Sequence, residues 1–150
     1  MIRSPFVLLI CAASLGAQVR GPQGEIRAEG YATGALLGGL GFVVPIGTYA
    51  RMGLVGAAGT YVDEPRTAAV RVDALMRFHL DPLRQFRRAL YAAAGVSVNR
   101  DQDTEWRSYL LARIGVELAT RGGWIPAVEV GLGGGAHLAL ALRKARKRSR

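Results

Sequence analysis

The residues with chemistry to offer are two histidines, His79 and His137, the serines Ser97 and Ser108, and a long series of carboxylates and arginines. A hydrolytic centre needs a nucleophile and a base on neighbouring elements, with a third group orienting the base. His79, His137 and Ser97 share one parity along their segments, whereas Ser108 lies on the other, and spacing alone does not assemble them into a triad. Asp101, Asp103 and Glu105 alternate in a turn-like stretch but lack the spacing of a calcium loop of the EF-hand type. Gly38-Gly39-Leu40-Gly41 and Gly131-Leu132-Gly133-Gly134-Gly135 lack the Gly-Lys-Ser/Thr ending of a phosphate loop. The one cysteine, Cys11, excludes a disulfide framework and a cysteine zinc site. No enzymatic activity, cofactor or metal centre is expected.

The charged residues are more informative, because they alternate. From Thr67 to Asp81 one parity carries Arg71, Asp73, Arg77, His79 and Asp81, and the other carries Val70, Val72, Met76, Phe78 and Leu80. Successive strand side chains point to opposite faces, so a strand here has one ionic and one apolar face. A helix would scatter the charges around its circumference. Trp106 to Ala119 repeats the pattern: Arg107, Tyr109, Arg113 and Glu117 oppose Trp106, Leu110, Ile114, Val116 and Leu118. Weaker copies follow. Glu25, Arg27 and Glu29 oppose Ile26 and Ala28; Arg51 opposes Met52 and Leu54; Glu129 opposes Val128, Val130 and Leu132; His137 and Arg143 oppose Leu138, Leu140 and Leu142.

Stepping outward from these faces gives eight strands separated by turn residues. The breaks fall at Pro45-Ile46-Gly47, Asp63 to Arg66, Asp81 to Arg88, Asn99 to Thr104, Arg121 to Gly123 and Gly133 to Gly135, with a further connection expected near Gly38. The connections are short, so neighbours should pair as antiparallel hairpins. Several strands exceed the usual five or six residues and approach the roughly ten that a tilted strand needs to cross a bilayer. The expected fold is all-β, an eight-stranded antiparallel up-and-down barrel.

The chain has 150 residues, 50% hydrophobic and 21% charged, which suits one folded domain. Residues 1–18 read as a secretory signal peptide: Arg3 precedes an apolar run from Phe6 to Leu15, followed by Gly16 and Ala17. The barrel is expected over 19–143 and a basic tail over 144–150. The net charge of +9 is mostly terminal, because Arg3 and the cations Arg143, Lys144, Arg146, Lys147, Arg148 and Arg150 account for most of the excess. Such a block is a solvated end with affinity for anionic groups or envelope proteins. It has no interleaved aromatics for stacking on bases, so no nucleic-acid partner is expected.

A soluble sheet buries its apolar face, whereas a membrane barrel turns that face to lipid. The apolar parity is free of charge over consecutive positions, and Phe78, Trp106 and Trp124 sit near strand ends, as interfacial aromatics do. The opposite parity carries both signs, which can pair inside a narrow barrel. The signal peptide, amphipathic strands and short connections resemble the small bacterial outer-membrane β-barrels, the group that includes the OmpA transmembrane domain and OmpX types. The resemblance covers about Gln23 to Arg143. It implies outer-membrane location, membrane lipids as partners, both termini in the periplasm and a structural or interaction role at the cell envelope. In that topology the connections at Pro45, Asp81 to Arg88 and Arg121 to Gly123 are periplasmic. Three other readings stand beside it: a narrow passive pore, a periplasmic or secreted lipocalin-like calyx with its apolar face inward, and a membrane helix over Ala32 to Ala50. Pro45 and the glycines of that last span argue against a helix.

Overall fold

The computed structural model describes residues 22–63, 67–80, 88–100 and 105–145. The expected signal peptide, Asp81, the last five residues of the basic tail and parts of three connections lie outside them. The strands are β1 (Gln23–Tyr31), β2 (Ala35–Pro45), β3 (Ala50–Tyr61), β4 (Ala68–His79), β5 (Ala89–Arg100), β6 (Trp106–Glu117), β7 (Trp124–Leu132) and β8 (Ala136–Lys144). Each pairs antiparallel with its sequence neighbours, and β1 pairs with β8, from Glu25 opposite Arg143 to Tyr31 opposite His137, so the sheet closes into a barrel. Closure removes the open edges of the sheet, apart from the start of β6, which extends past β7.

The two parities separate through the middle of the barrel. Glu25, Arg27, Glu29, Arg71, Asp73, Arg77, Arg113, Glu117 and Glu129 are buried inside. Leu110 is 85% exposed, Ile114 61% and Trp106 59%, and Val72, Met76, Phe78, Leu118, Val128, Val130, Leu132, Leu138 and Leu140 are exposed with them. Val70 and Val116 face the same way and are half-buried. The calyx reading requires the reverse, and the helix over Ala32 to Ala50 is replaced by a turn and β2. Two small interior clusters are apolar: Val55, Leu75, Ala93 and Leu111 on β3 to β6, and Leu37, Ala57 and Ala69 on β2 to β4.

The hairpin after β6 shows how local residues set register. Gly122 and Gly123 have φ of 55° and 81°, and the amides of Arg121 and Trp124 each donate to the other's carbonyl at 2.8 Å. Positive φ at both central residues is the primed turn that matches strand twist, and glycine adopts it without steric cost. The first hairpin corrects an expectation. Its turn is Ala32 to Gly34, closed by the Gly34 amide donating to the Tyr31 carbonyl at 2.9 Å, with Gly34 at φ 84°. Gly38, expected near a connection, lies within β2 opposite Ala28 and Ala58.

Candidate functional site

The interior is one ionic network. Its hub is Glu129 on β7, which meets Arg27 at 2.5 Å, Arg143 at 2.6 Å, Arg113 at 3.2 Å and Arg77 at 3.7 Å. The Tyr91 hydroxyl donates to the same carboxylate at 2.5 Å and accepts from Arg143 Nη2 at 2.7 Å. Glu25 on β1 is the second node, with Arg143 at 2.6 Å, Arg77 at 2.8 Å and Arg27 at 2.9 Å. Toward the end where β1 begins and β8 ends, Glu117 joins Arg143 at 2.7 Å, His79 at 3.3 Å and Arg51 at 3.7 Å. Toward the opposite end, Arg113 contacts Glu29 at 3.4 Å and also Asp73, which Arg71 Nε reaches at 2.6 Å.

An isolated buried charge costs several kcal/mol, recovered only where partners and hydrogen bonds are well placed. The strand pattern supplies them, because these ionic residues share the inward parity of a closed sheet and face one another across the lumen. Glycines give these side chains room. A side-chain carbon on Gly115 would collide with the Tyr91 ring, and one on Gly131 would come within 2.7 Å of the Arg113 stem.

Arg51 is at the margin of the network, with its side chain 22% exposed. Arg107 keeps the inward parity opposite Asn99, but it lies one residue from the start of β6 and is exposed. The reason is geometric. β7 ends opposite Ala112, so the first six residues of β6 rise beyond it and lose the wall that would enclose Arg107. Arg143 is an addition. Counted by sequence among the terminal cations, it is 1% exposed and links Glu25, Glu117 and Glu129. Its parity with His137, Ala139 and Ala141 was the available signal.

The histidines occupy opposite ends of the lumen. His79 stacks on Tyr91 with ring centroids 5.2 Å apart, and His137 stacks on Tyr31 at 5.0 Å. The Ser97 hydroxyl donates to Asn99 Oδ1 at 2.7 Å. Among the described residues there is no cluster of three His, Cys, Asp or Glu side chains able to hold a metal ion.

At the end bearing the Ala32 to Gly34 and Gly133 to Gly135 turns, the lumen opens into a cavity of about 240 Å³. Tyr31, Tyr61 and Tyr109 line it with Leu37, and Arg71 and Asn99 supply polar groups. This vestibule draws on strands β1 to β6, so no single segment announces it.

No family model and no curated protein matches the sequence. Among solved structures, the chain is similar to the N-terminal β-barrel domain of OprF from Pseudomonas aeruginosa, with a TM-score of 0.62 and 12% identity over 81% of this chain and 96% of that one. It is also similar to a de novo designed protein, TMB2.3, with a TM-score of 0.59 and 11% identity over 86% of this chain and 96% of that one. At these identities the likeness establishes the closed eight-stranded barrel.

Proposed function

We propose that the chain is a bacterial outer-membrane β-barrel with a structural or interaction role at the cell envelope, its lumen sealed by ion pairs. One observation carries the reading: the side chains costliest to desolvate are buried, while Leu110, Ile114, Leu132 and Leu140 stand exposed. Water would favour the opposite arrangement, and hydrocarbon favours this one. The outer aromatics support it. Phe42, Tyr49, Phe78 and Trp124 are exposed toward the end where β1 begins and β8 ends, and Trp106 toward the other, at the levels where interfacial rings sit. The residues 1–18 provide the export address, lipids cover the barrel wall, and the basic tail meets anionic groups or envelope proteins.

The test is fractionation of the expressing cell, with heat-modifiable gel migration and far-ultraviolet circular dichroism in detergent. The expected result is an outer-membrane, β-rich protein whose folded form migrates differently from its boiled form. A product that is soluble without detergent, or mainly helical, overturns the reading. In planar bilayers the sealed lumen predicts no conductance steps.

A further inference from the structure

We infer that the vestibule is a binding site for a small carboxylate with a flat apolar body. Throughout the lumen each buried arginine is met by carboxylates, yet the described residues that line the vestibule include Arg71 and Arg100 and no acid. Arg71 is 2% exposed. Its Nε is held by Asp73 at 2.6 Å, and its Nη1 donates to the Gly133 carbonyl at 3.0 Å and to the Tyr31 hydroxyl. Its Nη2 has no hydrogen-bond partner among the described residues. A buried guanidinium donor left without an acceptor is costly, and native structures satisfy such groups.

A second donor stands beside it. Asn99 accepts from Ser97 through Oδ1, which leaves its amide nitrogen turned toward Gly134 on the vestibule wall. Two donors suit the two oxygens of one carboxylate. The remaining wall is tyrosine and leucine, the lining that orients a flat apolar body. A volume of about 240 Å³ is below that of drug-sized pockets, which limits the ligand to one small ring or a short chain.

The experiment titrates the full folded barrel, in a zwitterionic detergent, with benzoate and with its neutral counterpart benzyl alcohol, reading amide and arginine side-chain NMR shifts. Benzoate is expected to saturate, with shifts confined to Arg71, Asn99 and Gly133 to Gly135, and to bind about tenfold or more tighter than the alcohol, as a charged hydrogen bond implies. Arg71→Gln should bring benzoate to the level of the alcohol; Asp73 keeps Arg113 as its partner in that variant. Ala35→Leu fills the vestibule without touching an ion pair and should abolish binding, with heat-modifiable migration reporting that either variant still folds. Overturning results are the absence of saturable shifts, equal affinity for the two probes, or wild-type affinity in Ala35→Leu. A barrel that is soluble without detergent yet binds benzoate would sink the envelope reading and leave this one standing.

Discussion

Strands β1 and β2 lie side by side and divide one task. The inward charges of β1 are Glu25, Arg27 and Glu29; their partners on β2 are Gly41, Gly39 and Leu37. A side-chain carbon on Gly39 would come within 3.2 Å of Arg27 Cγ, and one on Gly41 within 2.9 Å of Val55 Cγ2. The same division recurs where Tyr91 faces Gly115 and Arg113 faces Gly131. An eight-stranded lumen has about the volume its own side chains fill. A long ionic side chain on one strand therefore requires a vacancy on the next, and charge and glycine are two parts of a single packing solution.

The sharpest way to break that solution is at its hub. Glu129→Ala leaves four arginines without their shared carboxylate and should lower stability by about 3–5 kcal/mol, read from urea unfolding of the lipid-reconstituted barrel. An unchanged midpoint would mean the arginines are balanced elsewhere. The outer face comes next. Ile114→Arg, in mid-strand on the wall assigned to lipid, should cost about 2–4 kcal/mol in bilayers, and a neutral result would dissociate that wall from the membrane. Smaller is the loss of room: Gly115→Ala should cost about 1–3 kcal/mol by pressing on Tyr91. Gly38→Ala, an outward position with open space around it, should stay within about 0.5 kcal/mol. Equal effects at the two glycines would refute the division of labour. Arg107→Ala, above the enclosed part of the lumen, belongs with the small effects.

These residues also mark what was legible in the sequence. The faces were, because period two is fixed by strand geometry and a charge such as Asp73 or Arg113 tolerates only one side of such a wall. The first turn was not. A connection was expected near Gly38, but Gly38 lies within β2, Gly39 and Gly41 are vacancies for β1 and β3, and the chain turns at Gly34 instead. Arg143 was obscured by the cations that follow it, and Arg107 was counted inside because strand parity carries no information on where a neighbouring strand stops. The vestibule could not be read at all, since Tyr31, Tyr61 and Tyr109 are brought together only by closure of the sheet.

That closure has a kinetic consequence. Glu25 and Arg143 are 118 positions apart in the chain, yet they lie opposite one another on the seam between the first and last strands. Hairpins such as Arg121 to Trp124 form from local contacts, but the seam must wait for β8, at the entropic expense of the longest loop in the molecule. Until it zips, Glu25 lacks Arg143, whereas Glu117 and Glu129 meet Arg143 through the local β6 to β8 hairpins. Assembly is thus locked by its final strand, and a chain truncated before Arg143 should stall as an open, protease-sensitive ribbon.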